Sequence, residues 1–162
     1  MKLTDSCPAQ SMASSCANGS VRRASRRLGQ IYDEAFTGTG LKATQYSLMS
    51  HIARGNEPKM RDLADALVMD LSALSHSLKP LVRDGLVEVL VDELDRRSRR
   101  VLLTENGWAK YREAQQISER VSSIFEKAFG IEETVKLRSA LDLISSETFA
   151  QSLLEELHAP LE

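Results

Sequence analysis

The chain has 162 residues, 42% hydrophobic and 27% charged, a balance that belongs to a globular protein and excludes a disordered tract. No apolar run is long enough to span a bilayer, and two cysteines, Cys7 and Cys16, are too few for a disulfide scaffold. The net charge of −2 does not suit a uniformly basic nucleic-acid binder, but its spread is uneven: residues 105–162 carry eleven acids and six bases, while residues 1–104 sum to +3.

In chain order, residues 1–20 are rich in Ser, Ala, Cys and Gly without a period, and predict a flexible tail. They lack the apolar stretch of a secretion signal, so a cytoplasmic protein is expected. A first helix follows, with Val21, Ala24, Leu28, Ile31, Tyr32, Ala35 and Phe36 as its apolar stripe. Arg22, Arg23, Arg26 and Arg27 crowd its first half, against the helix dipole, so a phosphate, a ligand carboxylate or the acidic C-terminal helices must favour them. Thr37-Gly38-Thr39-Gly40 is a turn, after which Thr44 is placed to cap a second helix running to about Arg54 and ended by Gly55. Met60, Leu63, Ala64 and Leu67 mark a short third helix, and the turn at Val68-Met69 leads to a fourth.

Asp70 is placed to cap that fourth helix, Leu71, Leu74, Leu78, Leu81 and Val82 are its predicted core stripe, and Gly85 closes it. Pro80 removes the hydrogen bond to the carbonyl of His76 and should bend it. Ser72, Ser75, His76 and Lys79 share the polar face, and no acid lies between Asp70 and Asp84. An acid-free face of compact donors and acceptors suits a DNA major groove, although a plain solvated face is also compatible with it. The period then changes to two: Val87, Val89 and Val91 predict a half-buried strand, Arg99 to Leu103 its return, and Asp95, Arg96, Arg97, Ser98, Arg99 and Arg100 a basic tip. Helix, hairpin and basic tip together predict a winged helix. Thr104 is placed to cap a fifth helix through Trp108, Tyr111, Ala114, Ile117, Val121, Ile124, Phe125 and Phe129, broken by Gly130. A last helix is predicted from Glu132 toward Leu157.

The expected fold is mainly α with a small β-hairpin wing: a winged helix-turn-helix lobe over 41–104 and a helical dimerisation region over 21–40 and 105–162. The two C-terminal helices are apolar beyond what so small a lobe covers, and a second copy of the chain would complete them.

These residues resemble the MarR family of bacterial transcriptional regulators. The stretch from Arg22 to Asp33 followed by G-L-K-A-T-Q-Y-S-L-M is similar to the family's first two helices. R-D-G-L-V at 83–87, then D-E-L-D-R-R-S-R-R-V-L-L-T-E-N-G, is similar to the recognition-helix exit, the wing and the entry to the fifth helix. The resemblance implies a homodimer that binds double-stranded DNA, usually as a repressor, and lets go when a small molecule or an oxidant binds. It carries the DNA-binding role to Ser72, Ser75, His76 and Lys79, and to the wing residues Asp95, Arg96, Arg97 and Arg99. Many members hold Arg or Thr near the position of His76, which points to a different operator here; a histidine there also offers sensitivity to mild acid.

Two effector readings stand side by side. An aromatic acid would sit near Tyr32, Tyr46 and Met49 with its carboxylate on Arg22, Arg23 or Arg26, unless those three are plain core residues. Alternatively Cys16 senses oxidants, with Arg22 and Arg23 activating it and Cys7 resolving it, unless both cysteines lie in the tail without a role. No catalytic grouping can be drawn from the scattered His51, His76 and His158, and no metal-ligand set from the cysteines. No enzyme, cofactor, metal or membrane partner is expected. A winged-helix scaffold that binds proteins without DNA is the remaining class.

Overall fold

The structure is a computed structural model that describes residues 16–159. Cys7, most of the expected tail and Pro160 lie outside them. Its contacts fall into two units that divide between Val121 and Ser122.

The first unit opens with α1 (Ala17–Ala35), which takes in the last four residues of the expected tail. The Ser20 amide closes the first turn on the Cys16 carbonyl at 3.3 Å, and the Ser20 hydroxyl accepts from Arg23. No residue of α1 is fully buried; the chain enters the core only at Phe36, beyond its end. A single 3-10 turn at Thr37–Thr39 follows, where the Thr39 hydroxyl donates to the Phe36 carbonyl and accepts the Leu41 amide.

Helix α2 (Ala43–Gly55) starts one residue before the expected cap, Thr44, which is exposed. Its orphan amides are met from elsewhere. The Asp33 carboxylate of α1 accepts the Ala43 amide at 2.7 Å, and the Gln45 side chain accepts that of Lys42 at 2.8 Å. Its left-handed end is Asn56 rather than Gly55, and Glu57 is left-handed too, at φ 61°.

After α3 (Met60–Ala66) the turn passes through Val68, at φ 52° and largely exposed, into α4 (Leu71–Arg83). Asp70 caps α4 as predicted, accepting the Ala73 amide at 2.7 Å. Only Leu74, Leu78 and Leu81 of the expected stripe are buried. Leu71 and Val82 are 43% and 44% exposed, because they lie on the flanks of that narrower seam. Gly85, at φ 69°, closes the helix with its amide on the Val82 carbonyl and the Leu86 amide on that of Leu81.

Strands β1 (Val87–Val91) and β2 (Arg99–Leu103) pair antiparallel, Val87 opposite Leu103 and Val91 opposite Arg99. Val87, Val101 and Leu103 are buried, but Val89 and Val91 are exposed. The half-buried strand expected over Val87, Val89 and Val91 is thus half-buried only at its root, because the ribbon runs out past the core cluster. Thr104 ties the ribbon to α5 (Glu105–Phe129). Its hydroxyl donates to the Gly85 carbonyl at 2.7 Å and accepts the Gly107 amide at 2.9 Å, and its own amide donates to Leu86. A Cβ on Gly107 would collide with the Leu86 carbonyl, so a side chain is excluded there. The core of this unit joins Phe36, Leu41, Leu48, Met49, Ile52, Leu63, Leu74, Leu78, Leu81, Val87, Val101, Leu103 and Tyr111.

The second unit contains the end of α5, α6 (Ile131–Ser145) and α7 (Glu147–His158). The single last helix expected from Glu132 is therefore two. Ser146 leaves helical geometry at ψ 146°, and its hydroxyl caps α7 by accepting the Phe149 amide, an alternative to continuing the helix that serine readily takes. Gly130, at φ 108°, separates α5 from α6.

The fold is mainly α with a two-stranded wing, as the sequence predicts.

Candidate nucleic-acid interface

The four expected α4 residues, Ser72, Ser75, His76 and Lys79, are all exposed. Their helix is held from behind by three buried leucines and at its start by Asp70, so the exposed face rests on a rigid element. The Ser75 hydroxyl donates to the Leu71 carbonyl at 2.7 Å, which commits its proton and leaves its oxygen to accept.

The structure divides this face. Ser75 and Lys79 line an apolar groove of about 430 Å³ with Met60, Leu78, Val82, Arg83 and Val89, between α4 and the ribbon. His76 lies on the other flank, in a groove of about 480 Å³ with Lys42, Thr44, Gln45, Ser77 and Pro80, toward the start of α2. A third hollow, about 640 Å³, lies between α3, the start of α4 and the wing. Lys59, Arg61, Arg97 and Arg99 line it together with Leu71, Ser75 and two acids, Asp62 and Asp95. Lys59 and Arg61 are additions to the expected set. Their signal was present in the sequence, two cations flanking the start of the first helix of a helix-turn-helix.

The wing tip separates residues that shape it from residues it presents. Asp95 is a shaping residue. One of its oxygens accepts the Arg97 amide at 3.1 Å, the other the Ser98 hydroxyl at 2.8 Å, and its carbonyl the Ser98 amide. The Ser98 hydroxyl and the Arg97 amide hold its carboxyl below the ordinary value against the opposing effect of burial. Arg96, Arg97 and Arg99 are exposed; Arg99 also donates weakly to the Arg96 and Ser98 carbonyls at 3.4 Å. Arg100 is turned inward to the buried Asp92 carboxylate and the Glu57 carbonyl. Burial alone would raise the Asp92 carboxyl. The amides of Asp95 and Leu94 and the Arg100 guanidinium outweigh it and hold the carboxyl low.

The expected ligand residues fall into three settings. Arg22, Arg23 and Arg26 are exposed on α1. Tyr32 and Tyr46 are half-buried in one aromatic series, Tyr32–Phe36–Tyr46–Tyr111, with Tyr46 stacked on Tyr111 at 5.9 Å. Burial pushes the Tyr46 phenol up, against a hydrogen bond with Ser118. Met49 is fully buried in the core. Cys16 is exposed at the start of α1, and Cys7 lies outside the described residues. Among the described residues no group of His, Cys, Asp and Glu could hold a metal ion, and no helix is long and apolar enough to cross a membrane.

A sequence model of the MarR family matches residues 39–98, from the turn before α2 to the wing tip. The crystal structure of the Mycobacterium tuberculosis transcriptional regulator MOSR, solved in complex with DNA, is 31% identical. The match covers 78% of this chain and 96% of that one, with a TM-score of 0.67. The chain belongs to the MarR family. Two further solved structures share its fold. Apo MarR from Escherichia coli is 23% identical over 78% of this chain and 95% of that one, with a TM-score of 0.64. CouR from Rhodococcus jostii RHA1, solved with p-coumaroyl-CoA, is 22% identical over 80% and 91%, with a TM-score of 0.70. A search of curated protein sequences finds no match. As a MarR-family member the chain falls among DNA-binding transcription regulators, a family that is not one of enzymes.

Proposed function

We propose that this MarR-family chain is a homodimeric repressor that binds a pseudo-palindromic operator and is released by a small-molecule effector. The observation that carries the duplex contact is the acid-free face of α4 next to a hollow where four cations, Lys59, Arg61, Arg97 and Arg99, outnumber two acids, Asp62 and Asp95. Ser72, Ser75 and His76 supply compact groups for base edges, and Lys79, Lys59, Arg61 and Arg99 meet phosphates. Arg96 and Arg97 are presented by the wing for the adjacent minor groove.

Dimerisation is supported by what the second unit leaves uncovered. Phe129, Ile131, Val135, Leu143, Leu153, Leu154 and Leu157 are all exposed in the single chain. So much apolar surface calls for a partner, and a second copy related by a two-fold axis would set two recognition helices about 34 Å apart. The domain division follows: 41–104 for DNA, α1 with α5 to α7 for the dimer.

For the effector, an aromatic anion suits the groove between α4 and the ribbon, with its ring on Val82, Met60 and Val89 and its charge near Lys79 and Arg83. Arg83 is already paired with Asp84 at 2.8 Å, which leaves Lys79 as the principal cation. A ligand there would occupy the same side chains as the duplex. The alternative near Tyr32 and Tyr46 has less support, since Met49 offers no surface.

The test is a mobility shift with duplex from upstream of the chain's own coding sequence at two salt concentrations. The expected result is a shift that weakens steeply with salt. No shift at either concentration would favour the protein-binding scaffold.

A further inference from the structure

Asp92 is 1% exposed, yet it stands in a wing whose other residues are largely in water. One of its carboxylate oxygens accepts the amides of Leu94 at 3.0 Å and Asp95 at 2.8 Å, which bends the chain into the tip. The other pairs with Arg100 Nε. Arg100 then crosses to the loop between α2 and α3, where its Nη1 donates to the Glu57 carbonyl at 2.9 Å. Beside it the Val101 amide donates to the Pro58 carbonyl at 3.0 Å.

That loop is itself strained. Asn56 and Glu57 are left-handed in succession, at φ 48° and 61°, and a glutamate holds such a conformation only where its surroundings enforce it. The Arg100 bond to Glu57 is one such constraint. A single ion pair therefore joins three things: the turn that presents Arg96 and Arg97, the return strand, and the loop that feeds α3. An exposed pair would achieve little, but here the acid is removed from water, and breaking the pair leaves a buried charge.

We propose that Asp92 and Arg100 are positioning residues that fix the angle and the order of the wing, and through it the reach of Arg96 and Arg97 to the duplex. Neither need touch DNA. The inference rests on the duplex-binding reading above.

The test is a double-mutant cycle on the intact protein, with the upstream duplex as probe and at a temperature where circular dichroism shows each variant folded. Asp92→Asn and Arg97→Ala should each weaken binding about tenfold. The double variant should be no weaker than about twofold beyond either single one, because a misplaced wing has already lost what Arg97 contributes. Hydrogen exchange over residues 92–98, measured without DNA, should speed up in Asp92→Asn. If Asp92→Asn does not fold, Arg100→Met takes its place in the same cycle. Arg100→Lys, which keeps the charge but loses the forked geometry, should fall between the wild type and Arg100→Met. Effects that multiply, or a folded Asp92→Asn protein with wild-type affinity, would overturn the proposal. If the wild type itself fails to shift the duplex, the DNA reading falls, and exchange over 92–98 still decides the tether: an unchanged rate sinks it.

Discussion

Ser75 and His76 are adjacent in sequence and stand on opposite flanks of α4, one toward the ribbon and one toward α2. Their substitutions should therefore alter preference at different base positions. Ser75→Ala or His76→Ala is expected to cost about 1–3 kcal/mol at the base each one reads and little elsewhere. Lys79→Ala should weaken binding alike on all sequences and flatten the salt dependence by about one unit. Binding-site selection on randomised duplex, repeated at several salt concentrations, separates the two outcomes. At Gly107 the constraint is steric. Gly107→Ala forces a methyl onto the Leu86 carbonyl and should cost about 1–3 kcal/mol or more, read as a lower denaturant midpoint at unchanged slope. Residue-scale roles were only partly legible in the sequence. Asp70 and Gly85 announced themselves, since capping and left-handed closure depend on local chemistry alone. Asp33, ten residues from the Ala43 amide it caps, and Arg100, 43 residues from the Glu57 carbonyl it holds, did not. Such pairings are created by folding and leave no local spacing to read.

At the scale of elements, helical period and turn residues identified α1 to α5 and the ribbon. The errors fall where burial depends on a neighbour. Val89 and Val91 alternate as a covered strand would, yet α4 covers Val89 only in part, across the groove it shares with Val82, and Val91 is left half exposed. The split between α6 and α7 was hidden because Leu141, Ile144, Phe149 and Leu153 carry a helical spacing across Ser146. The wing's stability should depend on pH through Asp92. Its carboxyl holds a proton less tightly in the folded ribbon than in the unfolded chain. The contribution is therefore complete above the unperturbed value of 3.8 and is lost as pH falls through the lower, folded value. The protection of amides 92–98 against hydrogen exchange, relative to the unfolded chain at the same pH, should fall below that point before α4 opens. In Asp92→Asn this acid-dependent loss should vanish, leaving low protection at every pH. Leu81→Ala on the buried side of α4 should cost about 2–5 kcal/mol, read by chemical denaturation, without changing which bases are preferred.

For the whole molecule, charge and apolar surface are distributed in opposite directions along the chain. The wing tip gathers arginines, while residues 105–162 are acidic and the second unit leaves large apolar side chains in water. If a second copy covers those side chains, a double substitution Leu153→Glu with Leu157→Glu should give a monomer in sedimentation velocity. It should also lose far more operator affinity than any single base contact supplies, because one half-site then binds alone. A dimer that persists would place the interface elsewhere. The apolar excess was visible in the sequence; its division between two helices was not.

The turn between α3 and α4 has a practical consequence. Val68 is a branched side chain in a left-handed conformation, 73% exposed. It makes little packing there to justify the strain, which for such a residue is roughly 1–2 kcal/mol. Asparagine tolerates the same geometry, so Val68→Asn is expected to raise the melting temperature, and differential scanning calorimetry would show it. Anyone seeking a hardier form of this regulator for crystallisation or sensor use has a foothold at a single codon.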